Sequence, residues 1–365
     1  MKVIITSARD WYGRYERPVS SLSLIIGFVF EWSALKRIDM FWENIWVAAH
    51  FFIIALLIIL VNFQEEETTN HKDASRIHFW YLTFLQGFFG GLLSTFLVFY
   101  FRSATLAVSW PFLLLLSAAF VANESFKKHY ERVIFQLCLF YLSLLAFAIY
   151  IVPVFFHRIG PDVFLISGLI SLVSLLFFVA GVGFFAREKF RQSKKTLAVS
   201  VLGLYFAVNI LYFFNIIPPI PLSLKDAGVY HSLYKNTAGN YVVGSENTAG
   251  SQDFFAPGED IHLVAGRPVY VYSAIFSPSK FNTGIVHEWQ KYDENAGQWA
   301  TATRVNLSAS GGREGGYRVY SMKTSVVPGE WRVNVKTMQG QVIGRLRFNV
   351  IASDREPALK VYIKE

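Results

Sequence analysis

The sequence predicts an α-helical membrane bundle of about seven transmembrane helices, followed by an all-β, immunoglobulin-like sandwich domain. Three observations carry this prediction. More than half of the 365 residues are apolar and 35 are Phe, more than a single water-soluble core requires. Nearly all long uncharged runs fall before Pro218. Beyond it come short alternating segments broken by Gly, Asn, Asp and Pro, the pattern of a soluble β domain.

A helix crosses a hydrocarbon layer of about 30 Å with about 20 residues, each adding about 1.5 Å. Runs at residues 45–63, 79–101, 105–121, 133–155, 163–185 and 197–217 meet that length, and a shorter run at 19–32 adds a seventh span. Counting Lys and Arg on alternating sides from a cytoplasmic N-terminus puts fourteen inside and four outside, the latter being Lys36, Arg37, Arg102 and Arg158. This positive-inside bias places everything after Ile217 on the far side. Trp32, Trp42, Trp46, Trp80 and Trp110 fall near span ends, where an indole keeps its ring apolar and its N–H wet. Pro111 sits inside the fourth span as a kink signal, and Pro161 with Asp162 reads as a start signal for the sixth.

The formal charge of +8 is explained by these topology clusters, so the expected partner is the lipid bilayer and not nucleic acid. The lone cysteine, Cys138, lies in an apolar run, which excludes a disulfide framework and a Cys-based metal site. The N-terminal segment shows no small-residue cleavage site, so no removable signal peptide is expected. Within the spans the clearest polar residues are His50, Gln86, Gln136 and Asn209, with no charged residue near a span centre. Side chains of this kind serve as interhelical hydrogen-bonding groups. Gly87 and Gly91 have the spacing that lets two helix backbones approach closely.

Residues 218–228 read as a proline-rich linker, because Pro218, Pro219 and Pro221 cannot continue a helix, and residues 229–365 as the β domain. Strands are expected at 261–263, 268–276, 284–292, 298–308, 316–324, 329–337, 341–351 and 359–363. One hairpin is specified closely. Pairing Met338 with Gln341 sets Trp331 opposite Phe348 and Val333 opposite Leu346 on an apolar face, with Arg332, Asn334, Lys336, Arg345 and Arg347 on the other.

Catalytic motifs are wanting. The Gly-rich run from Gly311 to Gly316 lacks the Gly-Lys-Ser/Thr ending of a phosphate loop. His231, His262 and His287 show no ligand spacing, and no metal or cofactor is expected. Ser167-Gly168 lacks the surroundings of a serine nucleophile, and Glu259 and Asp260 are adjacent, so they cannot flank a glycosidic bond.

The points that carry a family resemblance are Pro218 to His231, His287-Glu288-Trp289, Trp299, Gly311-Gly312-Arg313, Gly315 to Arg318, Gly329 to Val335 and Gly340 to Gly344, with Arg158 to Pro161 and Phe164 to Gly168 in the helical half. On these the chain resembles uncharacterised bacterial multi-pass membrane proteins whose C-terminal part is a domain of unknown function. The resemblance implies an inner-membrane protein with its β domain in the periplasm, and it brings no activity.

The expected role is therefore a non-enzymatic envelope protein whose β domain binds a glycan, an anionic lipid or another membrane protein. Candidate contacts are His287, Trp289, Arg313, Tyr317, Arg318, Arg332, Arg345 and Arg347, because exposed aromatic and Arg side chains serve binding well. The alternative is a transporter or lipid-handling bundle in which His50, Gln86, Gln136 and Asn209 face one cavity. Reporter fusions after Lys195 and after Pro221 are expected to report opposite sides of the membrane; the same side for both removes the last span.

Overall fold

The computed structural model describes residues 22, 25–35, 40–67, 72–103, 106–123, 129–185, 187–217, 219, 222–246, 259–277, 283–309 and 317–364. The chain forms two compact units. One comprises Met1–Tyr100, Leu113–Val152 and Leu165–Ile210; the other comprises Phe101–Phe112, Pro153–Phe164 and Leu211–Glu365.

The helices are α1 (Ile25–Ala34), α2 (Phe41–Glu67), α3 (Lys72–Ser103), α4 (Leu106–Ala122), α5 (Val133–Phe156), α6 (Pro161–Phe185) and α7 (Arg187–Phe213). Among the described residues five stretches are long and apolar enough to cross a membrane: Phe41–Phe63, His78–Phe101, Val133–Phe156, Pro161–Gly181 and Ser193–Phe213. The apolar helices at Ile25–Ala34 and Trp110–Ala122 are shorter. Phe52, Leu169, Leu176, Phe177, Val199 and Phe206 stand exposed on these helices, a surface suited to lipid contact.

Local signals fix the helix ends. α6 begins at Pro161 with Asp162 in its first turn, as the sequence indicates. α5 and α7 close on the same cap, with His157 (φ 53°) and Asn215 (φ 58°) in the left-handed region. The Arg158 amide then reaches back to the Pro153 carbonyl at 3.3 Å, and the Ile216 amide to the Leu211 carbonyl at 2.9 Å. α7 therefore stops at Phe213, before the prolines and short of Ile217.

Among the described residues eleven strands follow: β1 (Ser223–Tyr230), β2 (Ser232–Lys235), β3 (Tyr241–Ser245), β4 (Glu259–Leu263), β5 (Val269–Phe276), β6 (Thr283–Asp293), β7 (Gln298–Ala309), β8 (Tyr317–Lys323), β9 (Gly329–Thr337), β10 (Val342–Ala352) and β11 (Lys360–Lys364). A five-stranded sheet has the order β4-β10-β9-β6-β7, parallel only at β4/β10, and faces a three-stranded sheet of order β1-β5-β8. Trp289, Trp331, Val333 and Phe348 from the first sheet and Val229, Val271, Ile275 and Val319 from the second share one buried core, so the domain is a β-sandwich. The expected hairpin register holds, with Phe348 opposite Trp331 and Leu346 opposite Val333. Only the turn differs: the Thr337 amide bonds to the Gln341 carbonyl, Gly340 takes φ 89°, and an irregularity between Val342 and Gly344 absorbs the slip.

Two expectations are corrected. The segment 218–228 is not all linker, because β1 begins at Ser223 and Leu222, Leu224 and Ala227 lie in the sandwich core. The domain also has a third sheet, of order β11-β3-β2, whose Leu233 and Val243 pack with Tyr230, Tyr272 and Ala274 on the opposite face of β1 and β5. β5 is thus covered on both sides, which explains its unbroken run of apolar and small residues.

Replacing Phe348 with Ala is expected to lower the stability of the β domain by about 3–5 kcal/mol. The measurement is urea-dependent proteolysis of the full-length protein in detergent, and an unchanged urea midpoint would deny Phe348 its place in the core.

Candidate functional site

The five-stranded sheet turns one face to the core, and the other face carries a hydrogen-bonded ionic network. Glu288 on β6 is only 2% exposed and is the hub. Its Oε1 accepts from Arg304 Nε at 2.9 Å, and its Oε2 accepts from Asn334 Nδ2 at 3.2 Å and pairs with Lys336. The Asn334 amide also donates to Gln290 Oε1 at 3.0 Å and accepts from Arg345 Nε at 2.7 Å. Gln290 Oε1 takes a further bond from Arg332 Nε at 2.7 Å, and the Arg332 guanidinium lies 4.3 Å from the centre of the Trp299 ring.

Position follows from register. Glu288 lies opposite both Asn334 and Arg304, Asn334 opposite Arg345, and Arg332 opposite Arg347, so adjacent strands line these side chains up across the sheet. Burial would raise the Glu288 carboxyl, but hydrogen bonds from Lys336 and Asn334, the Lys336 charge and the Arg304 bond together hold it below its ordinary value. Burial, and then the charges of Arg345 and Arg347, pull the Arg332 guanidinium down to about 10. Arg345 is lowered as well, by burial first and then by Arg347. Cations from Arg304, Arg332, Lys336, Arg345 and Arg347 thus surround one carboxylate, with Asp260 and Glu330 farther along toward β4.

The sequence-selected residues divide. Arg332, Arg345 and Arg347 come together in this network, and Arg313 lies outside the described residues. His287 and Trp289 are not surface groups. Both are fully buried, because alternation along β6 turns them to the core while Glu288 turns outward. His287 Nε2 meets Ser273 Oγ and its Nδ1 meets Ser321 Oγ, each at 2.8 Å, while Trp289 Nε1 donates to Ser321 Oγ at 3.0 Å. Tyr317 is buried in the same core. Arg318 sits on β8, in the other sheet, where its carbonyl accepts from the Tyr241 hydroxyl at 3.4 Å. Sequence reasoning missed Glu288, Gln290 and Arg304, because they join the cluster only through the pairing of β6 with β9 and β7.

His231 and His262 are gathered by a third residue. His231 Nε2 and His262 Nδ1 meet the Glu246 carboxylate at 2.6 and 2.7 Å. Among the described residues no group of three or more His, Cys, Asp or Glu is arranged to hold a metal ion.

The helical unit has its own polar interior. Gln86 Nε2 donates to the Asn123 carbonyl at 2.9 Å, and Asn123 Nδ2 returns a bond to the Gln86 carbonyl at 3.3 Å. Tyr130 donates its hydroxyl to Asn123 Oδ1, Gln136 Nε2 donates to the Tyr130 carbonyl at 2.5 Å, and Asn62 Nδ2 donates to Gln136 Oε1 at 2.8 Å. His50 lies against Gly91, and Glu31 of α1 lies buried beside Thr95. Asn209 stands apart, bonded to the Tyr205 carbonyl at 2.8 Å on its own helix. Glu31 escaped notice because the run 19–32 puts it at a span's rim, where a carboxylate reads as wet.

Residues 282–350 match the family model for a protein of unknown function, DUF2914. That segment runs from β6 into β10 and contains the whole outer-face network. No curated protein matches the chain. Among solved structures, an immunoglobulin-like protein from Pseudomonas aeruginosa is similar at 12% identity, covering 36% of this chain and 96% of that one with a TM-score of 0.20. A DNA-bound alkylpurine DNA glycosylase from Pseudomonas fluorescens is similar at 12% identity, covering 84% of this chain and 98% of its own with a TM-score of 0.20. At these scores neither likeness carries a fold or an activity across.

Burial lowers the His287 imidazole from 6.5 to about 4. As pH falls below 6.5 the unfolded chain takes up a proton that the folded domain refuses, so stability is lost down to about pH 4 and then levels. The loss is expected to reach about 3 kcal/mol. Urea titrations of the full-length protein across this window should show the slope in the wild type and a flatter profile in His287→Gln; equal slopes would mean that His287 does not set it.

Proposed function

We propose that the chain is a multi-pass protein of the bacterial inner membrane, with an N-terminus in the cytoplasm and an immunoglobulin-like β domain in the periplasm that binds an anionic envelope partner without catalysing a reaction. The basic outer face carries this reading. Three guanidinium groups sit close enough for Arg345 and Arg347 to depress Arg332, and a single carboxylate stands among them. Gathered cations of one sign are held at a cost that an anion relieves, and Arg presents paired donors suited to phosphate or carboxylate.

Topology supports the same reading. The stretches around Arg102 and Arg158, which the charge count puts outside, share a compact unit with the β domain. Ile159 packs against the sandwich core, and Gly160 lies near Gln339 at the tip of the β9–β10 hairpin. The basic stripe therefore starts from the end of the domain that meets the loop between α5 and α6. This favours a partner close to the membrane surface, such as phospholipid headgroups or envelope glycans.

A second reading, a transporter or lipid-handling bundle with the β domain as accessory, draws on the helices. Gln86 and Gln136 belong to one network, and the neighbouring Gly90 and Gly91 set Asn123 and His50 side by side along α3.

The binding role is tested with full-length protein in neutral-lipid nanodiscs, titrated separately with phosphatidylglycerol vesicles and with an acidic polysaccharide. Binding that weakens with salt is expected for one of them, and Arg332→Gln, Arg345→Gln and Arg347→Gln combined should weaken it on the order of a hundredfold, at about 1 kcal/mol for each cation. Failure of both ligands to bind, or binding unchanged in the triple variant, removes the proposal.

A further inference from the structure

One carboxylate in the helical unit has no part in the functions above. Glu31, near the end of α1, is 4% exposed. Its Oε1 accepts from Thr95 Oγ1 at 3.1 Å, no group lies in good hydrogen-bonding geometry to its Oε2, and the Ser94 and Trp46 side chains are the further donors that approach the carboxyl. A buried ionised carboxylate needs a counter-charge or a proton, because removing it from water costs several kcal/mol.

A base borders the same glycine of α3, Gly91. His50 on α2, also buried, holds its Nδ1 at 3.0 Å from the Trp46 carbonyl. A carbonyl only accepts, so Nδ1 carries the hydrogen and Nε2 of the neutral ring keeps its lone pair. That Nε2 points at Gly91. A Cβ on Gly91 would lie 2.9 Å from His50 Nε2 and 3.9 Å from Glu31 Oε1, so both groups border the same bare stretch of backbone. Glu43, seven residues before His50 on the same face of α2 and also buried, is the other carboxylate nearby, and α3 presents Gly91, Ser94 and Thr95.

We infer that Glu31 and His50 form a proton-binding site inside the membrane bundle. With one proton the pair is neutral, either as carboxyl and imidazole or as carboxylate and imidazolium; loss of that proton leaves one negative charge. Packing alone requires neither a carboxylate nor a bare lone pair, since Asn62 and Gln136 join helices without them. The site also has a polar approach. Gly90, beside Gly91, makes room for Asn123, whose Nδ2 would lie 3.1 Å from a Cβ there, and Asn123 continues to Tyr130, Gln136 and Asn62. From Gln86 to Thr95 this track rises about 13 Å along α3, toward the site from the loop between α4 and α5. Such a site suits exchange of a proton between the bundle interior and that loop.

The inference needs the helices to lie in lipid but not the binding role of the β domain. Carbonate-washed membranes holding the full-length protein test both points separately, since release of the protein by carbonate overturns the intramembrane setting itself. The retained protein is treated with dicyclohexylcarbodiimide, an apolar reagent that adds to protonated carboxyl groups, and the adduct on Glu31 is measured by mass spectrometry across pH. Labelling of Glu31 that falls as pH rises is expected, with none at this position in Glu31→Gln. In His50→Gln the imidazolium is lost, so labelling should persist to a pH about one unit higher. No adduct on Glu31 at any pH, or the same midpoint in His50→Gln and the wild type, overturns the inference; retention of His50→Gln in washed membranes shows that the variant is inserted.

Discussion

A polar group withdrawn from water must find a partner inside the protein, and both units are organised around that demand. In the sandwich it is met in full at two centres back to back across β6. On the outer side Glu288 is enclosed by Arg304, Asn334 and Lys336. On the inner side the next residue, His287, has a serine hydroxyl on each ring nitrogen. Those serines belong to β5 and β8, so the histidine ties one sheet to the other while remaining neutral. Apolar residues there would pack as well, but they would not fix the register of two sheets whose remaining contacts are non-directional.

The helices meet the same demand with side-chain amides. Most of their buried amides are satisfied by one another and by main-chain carbonyls, as in the chain from Gln86 through Asn123 and Tyr130 to Asn62. Gly90 and Gly91 make this possible by leaving room on α3 for groups reaching in from other helices. Glu31 is the charged member of this interior: its Oε1 takes the Thr95 hydroxyl and lies across Gly91 from His50.

The sequence made the helices, most of the strands and the β9–β10 register legible, since apolar run length and strict alternation are strong local signals. It hid β1 because a bulge lies between Leu224 and Asp226: the inward residues run Leu222, Leu224, then Ala227 and Val229, and the change of parity erases the alternation. It hid β2 and β3 because they are short and send only Leu233 and Val243 into the core of a third layer. The Arg332, Arg345 and Arg347 cluster could be read because one hairpin supplies it. Glu288 could not, since its pairing with Asn334 joins residues 46 positions apart. His287 and Trp289 were assigned to the surface for a related reason: a single strand shows which residues share a face but not which face meets the core.

The β9–β10 hairpin connects the basic face to the loop between α5 and α6. Its tip carries Gln339 beside Gly160, and the adjoining Ile159 is packed into the sandwich core. A few residues on, Phe164 stacks on Tyr212 with ring centres 3.6 Å apart, which joins the first turn of α6 to the last turn of α7. The strands that hold Arg332, Arg345 and Arg347 are therefore not hung from the prolines alone.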